Sequence, residues 1–541
     1  MIVHSFVSVG SLLLAVTCGI APVCSKVKLP GDGTGASTAP TGTGGQPTGA
    51  QPTSAQPTGA QPTSMQPGGV QPTGGAGEPP PETPPTRSAG ATDGIHVAPS
   101  GDNTSGDGSA ARPYRSIQHV LDNVARPGSV VLLHQGTYKE EVRIRHSNLT
   151  LQSAPGERAH ITCPVSINEN DPVLCVEIDA ETAGVKLRGL EVSGGFYAVF
   201  LGSQWDYDDT PLDNRTAHDV LIEDCVLHDT GRDVVKIPAG CDDITIRRCE
   251  IYNSGIGYRP GTPQDEKNAE GIDAVNTDRL HVADTHIHDT ATSCIYVKGG
   301  SIDTVIERTR AERCGDLGIA LGFDTSPEFF DRSANPKYYE NIGGVVRNCV
   351  VADTGLAGLG LYATRDAQLL HNTVLRGGSR GQAGIYLGVA TQDYDPVAGR
   401  PANTNPTIVG NVVDQTGLKA PVCFGIRHTV EDQLGTLSGL AGQGRIRDNL
   451  YFGGSASCIF NDSRPTSLFA GDDLAAWQAH APGFDAGSRR AAPMLTADGH
   501  LNPTSPAIDA ISPTPGVAHD IDGAVRGGSY DLGADEISSR R

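Results

Sequence analysis

The chain has 541 residues, with 68 Gly, 37 Pro and only 5% aromatic residues. So few large rings cannot furnish several independent globular cores, whereas abundant Gly suits a fold made of many tight turns. The formal net charge of −21 argues against nucleic acid or an anionic membrane surface as partner, and a polyanionic ligand would need a metal or a local patch of Lys and Arg.

Residues 1–25 read as an export signal, with an apolar run from about Phe6 to Ile20 followed by Lys26 and Lys28. Cys18 and Cys24 are the two positions where a lipid could attach. The expected location is therefore secreted or anchored at the cell surface, with any membrane attachment confined to the N-terminus. Residues 26–92 form a linker around QPTGA QPTSA QPTGA QPTSM QPGGV QPTGG. Pro and Gly at this density bury nothing and give an extended, disordered spacer.

The folded region, residues 93–463, opens with a strand, a polar loop, one helix from about Ser116 to Val124, and a strand ending in GTY. A short segment then returns repeatedly: VKLRGLEVSG, VLIEDCVLHD, ITIRRCEIYN, LHVADTHIHD, TVIERTRAER, GVVRNCVVAD, QLLHNTVLRG, TIVGNVVDQT and RIRDNLYFGG. Aligned by eye, one column reads Leu190, Cys225, Cys249, Thr285, Thr309, Cys349, Thr373, Val412 and Leu450. Its shortest spacing, 24 residues, fits one solenoid coil of three short strands, and the longer spacings fit a coil plus a loop. A second column, Asn348, Asn372, Asn411 and Asn449, reads as a ladder of amides satisfying backbone groups at a corner. Each return is followed by another strand (VVKI, GIDAV, CIYVK, GIAL, GLGLY), and alternation places Ile272, Ile295, Ile319 and Leu359 inward.

Insertions at Ser203–Ala217, Gly255–Ala269, Phe323–Ile342 and Thr391–Thr404 interrupt the period and are expected to wall a groove. Residues 464–541 hold a short helix with Trp477 and a trailer ending SYDLGADE. The 12 Cys contain no CxxC, which argues against a zinc knot, and Cys163 with Cys175 is a possible local disulfide.

The opening segment and the tail resemble those of secreted bacterial right-handed parallel β-helix proteins. The resemblance implies an all-β solenoid over 93–463 with a capping helix at its N-terminal end, residues 464–541 packing on it, and a monomer.

Within the stretch from Gly231 to Gly300, the repeat pairs Asp233 with Glu270 and Lys236 with Asp273 on neighbouring coils, with Lys298 two residues along on the next. Coils ~4.8 Å apart bring these carboxylates together, and hard oxygen ligands so placed suit Ca2+. A plain Lys236–Asp273 ion pair is the alternative. The arrangement looks like the polysaccharide lyases of family nine, calcium-and-lysine pectate lyases. That resemblance implies Asp233, Glu270 and Asp273 as calcium ligands and Lys298 as the base. Lys236 occupies a place that is neutral in that family, which leaves it as the other candidate base.

The implied reaction is Ca2+-assisted β-elimination on an acidic, uronate-containing polysaccharide. A cation on the uronate carboxylate stabilises the carbanion-like intermediate, and a neutral base takes the adjacent proton. The frame from Asn268 to Ser301 also resembles polygalacturonase-like hydrolases, but Thr292-Ser293 stands where their acid pair would be. A non-catalytic carbohydrate-binding or adhesion protein is the third reading. Tyr296 and an outward column of His228, Tyr252 and His288 are candidate sugar contacts.

Overall fold

The computed structural model describes residues 93–205, 215–391, 400–431, 434–480 and 484–537. The export signal, the whole linker, Cys18 and Cys24 lie outside the described residues, as do the middles of the insertions at 203–217 and 391–404.

Among the described residues three sheets of 12 strands each stack coil upon coil, parallel throughout except for Phe469–Gly471 at the end of one, and successive coils contribute one strand to each. The chain is thus a right-handed parallel β-helix. Each return seen in the sequence is two strands rather than one. Val220–Glu223 joins the first sheet and Val226–His228 the second, and Val235–Ile237 then joins the third. The break between the first two falls at a residue with positive φ, as at Asp224 (57°), Arg248 (51°), Asp284 (50°) and Arg308 (45°). A single left-handed residue turns the chain sharply, and Asp is among the types that tolerate it.

Side chains alternate across every strand, so one face of all three sheets points into a shared core. Ile272, Ile295, Ile319 and Leu359 are fully buried in it, and they align as one row of the third sheet. The repeats stack without slippage because a shift of one residue would turn that row outward.

The register corrects one sequence expectation. Val350 pairs with Thr373, so Cys349 stands beside Asn372 and this coil is one residue shorter than the alignment by eye assumed. The column therefore runs Cys225, Cys249, Thr285, Thr309, Cys349, Asn372, Asn411, Asn449. Thr373, Val412 and Leu450 lie one place further on, and Asn348 aligns with His371. The two columns are one. Asn411 Oδ1 accepts from Asn372 N at 3.0 Å, and Asn411 Nδ2 donates to Leu369 O at 2.9 Å. Asn449 repeats the pattern toward Asn411 N (3.0 Å) and Ile408 O (3.1 Å). Asn348 instead accepts from Arg526 of the trailer at 3.1 Å.

Both ends are covered. Helix α1, Ile117–Asn123, is too short to persist alone, but Ser116 caps it and Glu140 accepts from Ile117 N (2.9 Å) and Gln118 N (3.0 Å). It buries Ile117, Val120 and Leu121 over the first coils. Helix α2, Leu474–His480, drives Trp477 against Phe460 and Phe424, with ring centroids 5.3 and 5.8 Å away. The second sheet extends past 463, since Arg489–Arg490 pairs with Leu450–Phe452. The trailer then lies along the coils, with Gly533 N bonded to Gly410 O at 2.7 Å. Covering end strands hides backbone groups that would otherwise recruit other chains.

Disulfides join Cys163–Cys175, Cys294–Cys314 and Cys423–Cys458. Cys225, Cys241, Cys249 and Cys349 are free and buried. No helix among the described residues is long and apolar enough to cross a membrane.

Candidate functional site

The outer face of the third sheet is where the polar residues of the repeat collect. Lys236 pairs with Asp273 and Asp273 with Tyr296 across consecutive coils. Three residues back, Asp233 and Glu270 share a level, and Glu270 N donates to Asp233 Oδ1 at 3.1 Å. Two residues on, Lys298 pairs with Val275.

Asp233, Glu270 and Asp273 are all buried, and each offers a carboxylate oxygen within 4.8 Å of the other two. Around them the donors are few. Lys236 Nζ contacts Asp273 Oδ2 and lies 3.9 Å from Asp233 Oδ2. Thr292 Oγ1 donates to Glu270 Oε1 at 2.7 Å. Asn268, with its amide turned as its neighbours require, donates to Glu270 Oε2 at 3.0 Å. Asp233 Oδ2 and Asp273 Oδ1 are buried without a hydrogen bond.

Burial, and then the Asp233 carboxylate, push Glu270 well above the usual carboxyl range. Burial acts on Asp273 in the same sense but is outweighed by Lys236 and then Lys298, which leave it low. Three buried acids crowded beside Lys236 and Arg232, two of them with orphaned oxygens, fit a divalent cation held by Asp233, Glu270 and Asp273.

The two lysines differ in surroundings. Lys236 is 8% exposed and committed to the acids. Lys298 is half-buried, with Nζ 4.2 Å from the centre of the Tyr296 ring and 3.4 Å from Asp324 O. Its orientation comes from the insertion 323–342. Glu340 of that insertion, fully buried, accepts from Gly299 N at 2.8 Å and is raised by burial to about 7.

Insertions flank this face at both ends of its strands. On the Glu270 side, Tyr258 of 255–269 exchanges hydrogen bonds with the Asn268 backbone at 2.9 and 3.2 Å. On the Lys298 side, Asn276 Nδ2 donates to Phe329 O at 2.7 Å and Trp205 Nε1 to Glu328 O at 2.9 Å.

Several participants carry no signal in a single repeat. Arg232, 5% exposed, precedes Asp233 and pairs with Glu169 at 2.5 Å, while its Nε is buried without a hydrogen bond. Burial works to lower its pKa, and the Asp233 carboxylate overrides that and raises it. The row of Lys236 and Asp273 also continues as an aromatic floor, with Phe200 before them and Tyr296 and Tyr386 after. Gly360 lies in this row because a Cβ there would meet the Tyr362 ring at 2.5 Å. His228, Tyr252 and His288 are not part of this face. They lie on the second sheet, stacked on one another at 4.7 and 5.0 Å.

Residues 175–335 match the family model described as "Right handed beta helix region". No curated protein matches the chain in sequence. Among solved structures, the pectate lyase Pel9A is 13% identical, with 82% of this chain and 97% of that chain covered at a TM-score of 0.48. An alginate lyase from Paenibacillus sp. str. FPU-7 is 17% identical over 57% of this chain and 94% of that one, at 0.39. The Azotobacter vinelandii mannuronan C-5 epimerase AlgE6 A-module is 13% identical over 70% and 94%, at 0.42. The acid cluster and both lysines fall inside the matched segment, on what is by sequence and by topology alike a right-handed β-helix.

Proposed function

We propose that the protein is an exported lyase that cleaves an acidic, uronate-containing polysaccharide by β-elimination on the outer face of the third sheet. The observation that carries this reading is the buried Asp233–Glu270–Asp273 cluster, with two unsatisfied oxygens, beside the half-buried Lys298, whose charge acts on Asp273. Ca2+ held by those three acids would neutralise the uronate carboxylate and so acidify the proton next to it.

The chain's own residues supply the rest. Lys298 Nζ takes the proton alpha to the carboxylate, the C–O bond to the neighbouring sugar breaks, the departing sugar oxygen takes a proton from solvent water, and a double bond forms in the ring. Lys236, held by Asp273, lowers the repulsion within the cluster instead of acting as base. Phe200 and Tyr386, both partly exposed, offer flat faces for sugar rings, whereas Tyr296 is 4% exposed and stacks on Phe323 beneath Lys298 Nζ. Inverting hydrolysis needs carboxyl groups ~6.5–9.5 Å apart with room for a water. The clustered acids are within 4.8 Å and leave no such gap.

A non-catalytic carbohydrate-binding protein is the second reading. Its support is the Lys236–Asp273 contact, which partly satisfies the cluster without any metal. Incubation with polygalacturonate, alginate and glycosaminoglycans, with Ca2+ or chelator, separates the two. Ultraviolet absorbance from unsaturated uronate ends that needs Ca2+ and disappears in Lys298→Ala supports the lyase. Saturable binding with no such absorbance on any of the polymers overturns it in favour of the binding protein.

A further inference from the structure

The outer face of the second sheet carries a file of rings unrelated to the groove. His160, His228, Tyr252 and His288 follow one another at centroid distances of 6.1, 4.7 and 5.0 Å, the last two pairs within 2° of parallel. The first two imidazoles bracket a carboxylate. Glu191 pairs with His160 on the preceding coil and with Val226 on the following one. His160 Nδ1 lies 3.7 Å and His228 Nε2 3.5 Å from the same Glu191 Oε1.

The other nitrogen of each ring faces a polar side chain. His160 Nε2 is 2.7 Å from Ser193 Oγ, which donates to Thr162 at 3.1 Å. His228 Nδ1 is 3.0 Å from the Asp229 carboxylate. His228 is only 8% exposed, yet neither this nitrogen nor its Nε2, aimed at Glu191, has a hydrogen-bond partner. A buried ring nitrogen left without a partner costs free energy comparable to a lost hydrogen bond.

We propose that His160, Glu191 and His228 form a binding site for a divalent transition metal of the zinc class. In a tetrahedral site with bonds of ~2.0–2.2 Å, ligand atoms stand about 3.4 Å apart, close to the 3.5 and 3.7 Å spacings here. Two imidazoles and one carboxylate suit Zn2+, Co2+ or Ni2+ and not Ca2+, which takes oxygen ligands. Ser193 plays the part of the outer hydrogen-bond partner that fixes a metal-binding histidine, and the Asp229 carboxylate lies 3.0 Å from the outer nitrogen of the other ring. The fourth position faces solvent, since Glu191 and His160 are about one-third exposed. The ion would staple three consecutive coils, Ala159–Val165, Glu191–Gly195 and Val226–His228.

The test is calorimetric titration of the untagged, metal-stripped protein with ZnCl2 in buffer containing Ca2+, with visible absorption of the Co2+ form as a second readout. One equivalent is expected, with tetrahedral Co2+ bands. His228→Phe keeps a ring in the stack and removes the nitrogen, and Glu191→Gln keeps the shape and removes the charge. Each should weaken binding at least ~100-fold, and Asp229→Asn ~10–100-fold. No binding in the parent protein overturns the proposal. So does binding that survives both His228→Phe and Glu191→Gln, or that is abolished by His286→Ala in the separate Glu250–His286–His288 group.

Discussion

Replacing Lys236 by Met tests whether the acid cluster is built around a cation. The ammonium is almost fully buried, touches Asp273 and lies 3.9 Å from Asp233. Met matches the aliphatic stem, so the substitution removes charge while conserving packing. Breaking a buried ion pair by removing one partner costs about 3–5 kcal/mol, because the other charge stays behind. Unfolding entropy of about 2.1 cal/mol/K per residue gives roughly 0.95 kcal/mol/K for a unit of this size, so the expected fall in Tm is about 3–5 °C. That fall should be seen by calorimetry in chelator. Millimolar Ca2+ should then stabilise Lys236→Met more than the parent protein, because the vacated acids bind the ion more tightly. A site filled to ~100 times its Kd returns about 2.7 kcal/mol, most of the loss. An unchanged Tm in chelator, or a loss that Ca2+ does not touch, would show that the cluster is not a cation site.

Three further outcomes follow from the same geometry. Lys298→Ala should lower the elimination rate by ~10²–10⁴ while leaving Tm near that of the parent, and an unchanged rate would remove Lys298 from the base role. In chelator, Glu270 keeps its proton in the folded state above the 4.5 at which an ordinary Glu loses it. The folded chain then binds more protons than the unfolded one, so stability is full below that pH and falls as pH rises, by up to ~1.4 kcal/mol per unit. Glu270→Gln or added Ca2+ should flatten the slope, and a parent protein with no slope in chelator would refute the assignment. Asn411→Ala should strand Asn372 N and Leu369 O at about 1–3 kcal/mol for each buried group left unpaired, read as a lower denaturation midpoint. Equal stability would mean that the amide ladder is dispensable.

The coil period was legible because a β-helix writes its geometry directly into spacing: inward apolar residues must recur wherever a coil returns. For the same reason the side-by-side placement of Asp233 with Glu270, and of Lys236 with Asp273, followed from counting. The alignment slipped at Cys349, where Thr373 resembles the Cys and Thr of earlier coils in size. The true neighbour, Asn372, is larger and polar, and it fits because its amide bonds the next coil's backbone, which no size rule foretells. The direction of Lys298 was not legible either. Its amine is placed by Asp324 and the Tyr296 ring, and the insertion that supplies Asp324 has no period to count. The aromatic floor escaped because its members come from separate coils with Ala320 and Gly360 between them.

Stacked coils bring like charges into register as readily as unlike ones, and the way each stack is settled separates scaffold from site. At the corners, acids meet arginines on the next coil: Arg248 with Asp224 at 2.9 Å, Arg308 with Asp284 at 2.7 Å, Arg313 with Asp289 at 2.7 Å. Even where acids stack on each other, as Asp242 and Asp278 do, a backbone N–H from the next coil satisfies each at 2.8 Å, and Arg279 stands beside both. The third sheet is left unsettled. Asp233 lies level with Glu270, Asp273 is one step away, and two carboxylate oxygens have no donor in a dry environment. Like-charge stacking of this kind is destabilising, and a fold that neutralises its other stacks has no structural use for it. On the proposed reading, a cation arriving from solution relieves this crowding, and the acids rather than the aromatic file are the place to test for it.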